Sequence, residues 1–324
     1  MSEPTRDESN DGWSERVWRY ARSRTPWLVF ALVVASVAGY LEPVQSMFGL
    51  FVHFRHVYLL LGLLFVPVVL WSRVRWFLAP TGFVILLNAA YVLPWYVGGE
   101  PAECAEAPTV RVALANILTS NRDYPAIRRL VERTDPDVLV LQEYASHAEE
   151  ALSETLSAFD HRIARRRRDN FGIAVYSEIP WSSARVKRPT GGPAPQLHLE
   201  LDYRGEPLHL WAVHPLPPVK PSYIAMRNDL LAHVGAFAAS AQAPVVVAGD
   251  LNTTMWSAAY RKFEAQGLTN SRAGRGVMGT WPSWLPLRLP IDHVAHTEEI
   301  RTCRLKVGPD IGSDHRPLVV DLAL

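Results

Sequence analysis

A chain of 324 residues with 33 Lys+Arg against 32 Asp+Glu, a net charge of +1 and two cysteines is no polybasic nucleic-acid coat, disulfide scaffold or four-cysteine zinc protein. A hydrophobic content of 48% excludes disorder over most of its length. The charge is unevenly spread: residues 101–324 carry 25 basic and 25 acidic side chains, whereas residues 26–99 carry three Arg and one Glu.

Within 26–99, residues 26–41 (PWLVFALVVASVAGYL), 57–71 (VYLLLGLLFVPVVLW) and 76–99 (WFLAPTGFVILLNAAYVLPWYVGG) carry no charge. A membrane-spanning helix needs about 20 mostly apolar residues. The third run is long enough. The second becomes so by extending back through 47–52, with His53, Arg55 and His56 tolerated near one end. Trp27, Tyr40, Trp71, Trp76, Tyr91, Trp95 and Tyr96 flank the runs as interfacial aromatic residues do. Buried core helices would need a polar face for solvent, which these runs barely have. Arg16, Arg19, Arg22 and Arg24 precede the first run, and Arg73 and Arg75 separate the second from the third. Glu100, Glu103 and Glu106 follow the third. Three spans with a cytoplasmic N-terminus satisfy the positive-inside rule and put the remaining chain outside. If the second run only lies in the interface, the orientation flips. The expected organisation is a tail at 1–25, an anchor at 26–99, a linker at 100–108 and a domain at 109–324.

In that domain, residues 110–116 (VRVALAN) predict a buried strand. Tyr124–Thr134 predicts a helix capped by Asp123, with Ile127, Leu130 and Val131 on one face. After the Asp135-Pro136-Asp137 turn comes a strand at Val138–Gln142. Further strands are expected at 172–176, 197–202, 208–213, 244–248, 292–296 and 318–322, and helices at 228–239 and 257–266. Strands broken by a few helices indicate a mixed, sheet-dominated α/β architecture.

Polar residues collect where these strands end: Asn116, Glu143, His214, Asp250 and Asn252, Asp292, and Asp314-His315. Strand ends are rigid places to aim side chains, and ligands gather beyond them. Glu143, with Asn116, Asp292 and Asp314, offers hard oxygen ligands suited to Mg²⁺ or Mn²⁺. No Cys/His cluster has zinc spacing. Asp250 suits the activation of water, and Asn252 a contact to a phosphoryl oxygen. His214 and His315 suit donation to charge that develops on a phosphate.

The motifs LQEY at Glu143, AGDLNTT at Asp250 and Asn252, PIDHV at Asp292 and IGSDHRPL at Asp314 and His315 resemble those of the endonuclease/exonuclease/phosphatase (DNase I-like) superfamily. That superfamily spans apurinic endonucleases, DNase I-like nucleases, bacterial sphingomyelinases and inositol polyphosphate 5-phosphatases. The resemblance covers residues 109–324. It implies a four-layered α/β sandwich and metal-dependent hydrolysis of a phosphoester. It also implies metal ligation by Asn116 and Glu143, with Asp292 a later acidic residue of the site. Asp250 would activate water beside Asn252, Asp314 would orient or help bind metal, and His315 would stabilise the transition state. His214 in WAVHPLPP resembles the sphingomyelinase-like and phosphatase-like branches; Trp211 falls near a Tyr of the apurinic endonucleases. The TTMWSAAYRKF stretch and the apolar N-terminus look like bacterial membrane-anchored members.

Arg165–Arg168 is either a solvated loop or an anion-attracting rim. Arg167, Arg168, Asn170 and Trp211 are the candidate substrate contacts of the site. WPSWLPLRLP at 281–290 is either ordinary packing or a recognition or membrane-facing loop. Outside the cytoplasm Cys104 and Cys303 are free to pair. The expectation is therefore a membrane-anchored metal-dependent phosphoesterase acting on a lipid headgroup, a small molecule or nucleic acid. A nuclease and a non-catalytic phospho-ligand-binding membrane protein are the alternatives. The bilayer is the one partner besides substrate, and no protein partner is inferable.

Overall fold

The computed structural model describes residues 12–98, 104 and 109–324. Residues 1–11 of the expected tail, and the expected linker apart from Cys104, lie outside the described residues. The chain divides into two compact units that part between Val92 and Leu93.

The first unit is helical: α1 is Trp13–Ala38, α2 Arg55–Trp71 and α3 Leu78–Val92. With their flanking tight turns, the helical stretches Trp13–Leu41, Ser46–Trp71 and Arg75–Tyr96 are each long and apolar enough to cross a membrane. α1 starts at Trp13, so the arginines expected in an N-terminal tail sit on its first turns. Arg55 is only 2% exposed. It donates to Ser36 O (2.8 Å) and Asn88 Oδ1 (3.2 Å) and faces the Tyr91 ring at 4.3 Å. A cation among apolar helices is tolerable only when so partnered, which lets the second stretch run through it.

The second unit holds two six-stranded mixed sheets. The strands are β1 Thr109–Asn116, β2 Val138–Gln142, β3 His161–Arg165, β4 Ile173–Ser177, β5 Trp181–Lys187 and β6 Gln196–Tyr203. They continue with β7 Glu206–Ala212, β8 Val245–Asp250, β9 Leu268–Asn270, β10 Asp292–Thr297, β11 Arg301–Val307 and β12 Leu318–Ala323. One sheet has the order β11-β12-β1-β2-β4-β3, the other β5-β6-β7-β8-β10-β9. Their inner faces meet through alternating residues such as Val112, Val140, Leu199, Leu210, Val246 and Val294, as expected where successive side chains point to opposite faces. Helices α4 (Tyr124–Thr134) and α5 (Ser146–Leu156) cover the outer face of the first sheet through Ile127, Leu130 and Leu152. α6 (Pro221–Ser240) and α7 (Ala258–Glu264) complete the helical complement. Phe237 of α6 packs on Trp211 of the second sheet. The architecture is the four-layered DNase I-like sandwich. Cys104 and Cys303 form a disulfide with Cα atoms 5.8 Å apart.

Candidate active site

The central strands of both sheets deliver the polar residues to one place. β1 and β2 are parallel and pair Asn116 with Gln142, so Glu143 emerges beside Asn116. In the other sheet, antiparallel β8 and β10 pair Asp250 with Asp292. Gln142 joins the sheets. Its Nε2 donates to Val213 O (2.7 Å), and its Oε1 accepts from Asp250 N (2.8 Å). Within the second sheet, the end of β7 lies so close to β8 that a Cβ on Gly249 would stand 1.7 Å from Val213 O. Only glycine fits before Asp250.

Glu143 adopts φ +56°, a left-handed conformation that costs a glutamate free energy and recurs at functional sites. Its carboxylate is held by three donors. Asn116 Nδ2 reaches Oε1 at 3.2 Å, while Thr119 N and Oγ1 reach Oε2 at 3.0 and 3.2 Å.

Asp250 is the focus. Its Oδ2 lies 3.5 Å from Asn116 Nδ2, 3.6 Å from His214 Nε2 and 3.7 Å from His315 Nε2. Burial alone would raise its pKa; His315 and His214 instead hold it below the ordinary carboxylate range. His315 Nδ1 also bonds Asp292 Oδ2 at 2.9 Å. Burial works against the imidazolium, but Asp292, Asp250 and Asp314 outweigh it and push His315 up to about 10. An imidazolium held between carboxylates results. Gln196 Oε1 accepts from His214 N (2.6 Å) and fixes that residue's backbone.

Asn252 also adopts a left-handed conformation, φ +51°, which asparagine tolerates well. Its N–H donates to Asp250 Oδ1 (2.8 Å), its Nδ2 to Pro215 O (3.0 Å), and its carbonyl accepts from the buried Arg227 (2.9 Å). Asp314 Oδ2 accepts from Trp281 Nε1 (3.1 Å). Its Oδ1 is buried with no hydrogen-bond partner among the described residues.

Two groupings bear on a cation. Asp250, Asp292 and His315 present ligand atoms within 4.8 Å of one another, two oxygens and a ring nitrogen. Glu143 and Asn116, joined by their 3.2 Å bond, offer oxygens alone, and the orphaned Asp314 Oδ1 on the neighbouring His315 loop is a further oxygen that a hard cation would satisfy. Asp292, expected among the metal ligands, has one oxygen engaged by His315.

Two of the expected substrate contacts, Trp211 and Arg167, need correction. Trp211 is 2% exposed and stacks on His198 at 4.6 Å beneath α6. Leu210 and Ala212 on either side face the inner core, so strand alternation turns the indole away from the site. Arg167 is clamped by Asp169 through contacts of 2.7 and 2.6 Å and is not a free anion receptor. Arg168 and Asn170 are exposed on the β3–β4 loop. That loop borders the site, since the Phe171 ring lies 5.8 Å from that of His214. Reading the sequence missed Thr119, Gln142 and Ser313. Ser313 Oγ donates to Asn116 O (2.7 Å) and accepts from His315 N (3.1 Å). A threonine three residues after Asn116 carries no recognisable signal; a glutamine ending a wholly apolar strand does, because a buried amide must find partners.

Residues 113–315 match the model of the Endonuclease/Exonuclease/phosphatase family. No curated protein matches the chain in sequence. Among solved structures, D. rerio TDP2 humanized by 14 mutations superposes with a TM-score of 0.57 at 14% identity, over 67% of this chain and 99% of that one. An endonuclease/exonuclease/phosphatase from Beutenbergia cavernae gives 0.54 at 21% identity, over 67% and 72%. The mannosyl-6-phosphatase of Bacteroides thetaiotaomicron gives 0.51 at 18% identity, over 66% and 100%. At such identities the likeness is one of fold.

Proposed function

The chain belongs to the endonuclease/exonuclease/phosphatase family, whose members hydrolyse phosphoester bonds, and from that premise we propose that it is a membrane-anchored, divalent-metal-dependent phosphoesterase. The observation that carries the proposal is the convergence of His214, His315 and Asn116 on the buried Asp250 carboxylate. Lone buried carboxylates are costly, and one ringed by two imidazoles and an amide is arranged for proton transfer.

In this reading Glu143, Asn116 and Asp314 would hold Mg²⁺ or Mn²⁺, which when bound would supply the charge that polarises the phosphoryl group. Asp250 aligns the attacking water and takes its proton. Asn252, one N–H engaged by Pro215, directs its second N–H at a phosphoryl oxygen. His315, charged and oriented by Asp292, donates to the oxygen on which negative charge builds, with His214 opposite. Thr119 fixes the Glu143 carboxylate, and Ser313 fixes the loop that bears His315.

The three apolar stretches form the anchor, with the N-terminus in the cytoplasm and the catalytic domain outside. The Lys/Arg distribution supports this orientation, and the Cys104–Cys303 bond suits an oxidising compartment.

The test is turnover by the purified full-length protein with Mg²⁺ against bis-p-nitrophenyl phosphate, p-nitrophenyl phosphate, plasmid DNA and sphingomyelin. Hydrolysis of at least one, abolished by EDTA and restored by Mg²⁺, is expected. Binding of these esters without turnover of any would instead mark a phospho-ligand receptor.

A further inference from the structure

We infer that the 281–290 loop is the lipid-contacting edge of this site, and that the substrate is a phosphoester carrying a long hydrocarbon chain in the bilayer surface. The inference rests on the membrane-anchored phosphoesterase reading above and names its substrate class.

Four large apolar side chains stand exposed between residues 109 and 324: Val219, Trp284 at 69%, Leu285 at 45% and Leu287 at 40%. Three of them share one loop. Scattered apolar residues on a surface need no explanation, whereas a contiguous group marks a contact surface.

The loop is stapled rather than loose. Its ends pair through Trp281 N and Leu289 O (3.1 Å). A Cβ on Gly279 would stand 1.9 Å from Arg288 O, so the chains cross there at a distance only glycine allows. Its base is bonded to the catalytic loop: Trp281 Nε1 to Asp314 Oδ2 (3.1 Å), Ser283 Oγ to Ser313 O (2.7 Å) and Ser283 N to Asp314 O (2.7 Å). The apolar tip is thus displayed by a rigid support fixed to a proposed metal ligand.

Its backbone is also prepared for a weakly polar surrounding. Pro282, Pro286 and Pro290 contribute no N–H donor. Arg288, the loop's one charge, folds back onto Gly279 O, Ser283 O and Leu285 O at 3.1, 3.3 and 3.3 Å. Those three carbonyls thus keep a partner inside the protein, which lowers the cost of moving them into a less polar surrounding. Trp is the side chain most at home at a lipid interface.

The occupant follows from the tether. Cys104 lies eight residues beyond Tyr96, the end of the third apolar stretch. Its bond to Cys303 therefore keeps β11 within about 28 Å of that end. Within the second unit, Gly276 N donates to Trp95 O at 2.7 Å, five residues before the loop begins. The end of the third stretch, where the chain would leave the proposed bilayer, is thus bonded within this unit to the segment that leads into the loop, which favours lipid as the occupant.

The experiment uses the full-length protein in phosphatidylcholine vesicles with Mg²⁺ and two esters that share a leaving group: 4-nitrophenyl ethyl phosphate and 4-nitrophenyl hexadecyl phosphate. The native protein should favour the hexadecyl ester at least about tenfold in kcat/KM. The combined variant Trp284→Ser, Leu285→Ser, Leu287→Ser should lose most of that preference while cleaving the ethyl ester within about twofold of native. Equal use of both esters by the native protein overturns the inference, as does a preference that survives the variant. A change in the detergent-solubilised mass of the variant with the preference intact would assign the loop to a second copy of the chain, also against the inference. Failure to cleave either ester, with EDTA and Mg²⁺ making no difference, strikes instead at diester hydrolysis itself.

Discussion

One imidazole spans two carboxylates from adjacent strands: His315 Nδ1 lies 2.9 Å from Asp292 Oδ2, and its Nε2 3.7 Å from Asp250 Oδ2. The register that pairs Asp292 with Asp250 across β10 and β8 sets that separation, so sheet geometry fixes the ring's orientation and charge together.

Asp292→Asn should therefore lower kcat by about 10²–10³ with KM within threefold, because the donor is misoriented while the contacts to substrate remain. His315, held at about 10 by its carboxylates, keeps its proton across neutral pH. The stability and activity that need the imidazolium are present below its ordinary value near 6.5 and fade as pH rises through about 10. In the variant that fading should begin at least one pH unit lower. A pH profile of kcat for both proteins checks the shift.

Gln142→Leu should destabilise the catalytic domain by about 2–5 kcal/mol, since Val213 C=O and Asp250 N–H each lose a buried partner. Circular dichroism should show unfolding roughly 5–15 °C lower. Turnover should fall too, because the bond that seats Asp250 is gone.

The inner strands were legible because burial on both faces writes continuous apolar runs, as in Val138–Gln142 and Val245–Asp250. The strands whose sequences carry no clear strand signal are β3, β5, β9 and β11, the four outer edges of the two sheets. Edge strands carry charge to discourage pairing with other chains, and HRIAR, WSSARVK and RTCRLKV accordingly lack a continuous apolar run. Of the Arg165–Arg168 run, Arg165 ends β3 and Arg167 pairs with Asp169, while Arg168 stays exposed on the loop. α5 escaped notice because its one apolar ridge, Ala148, Leu152 and Leu156, is too narrow for a clear periodic signal. The acids and histidines of the site could be read from their places after strands. Which of them touch depends on how the two sheets face, and Trp211 shows that a residue three positions from His214 can point to the opposite side.

Acid should loosen the layer between the second sheet and α6. His198 and His209 pack together against Phe237. Burial, and then the neighbouring His209, lower His198 to about 4; burial also lowers His209. The unfolded chain binds more protons than the folded one between about 6.5 and 4, so this contribution is intact above 6.5 and lost as pH falls toward 4. Thermal midpoints should drop over that interval, and His198→Phe, which keeps a ring against Trp211, should flatten the drop. Equal slopes for both proteins would refute the assignment.

The Cys104–Cys303 bond closes a separation of 199 residues, for which chain entropy sets a ceiling of about 5 kcal/mol. Cys303→Ser should lower the thermal midpoint, and the native protein treated with reductant should match it. In intact cells both cysteines should resist alkylation until reductant is added. Ready alkylation of both without reductant would place the catalytic domain in a reducing compartment and overturn the outward orientation.

The central claim is that Asp250 activates water for metal-dependent phosphoester hydrolysis. The most direct measurement compares the native protein with Asp250→Asn, each purified at full length with Mg²⁺, on bis-p-nitrophenyl phosphate, p-nitrophenyl phosphate and a sphingomyelin vesicle. Native turnover that EDTA abolishes is expected, with a fall of at least about 10³-fold in the variant while circular dichroism shows it still folded at the assay temperature. Turnover by Asp250→Asn at the native rate would contradict it.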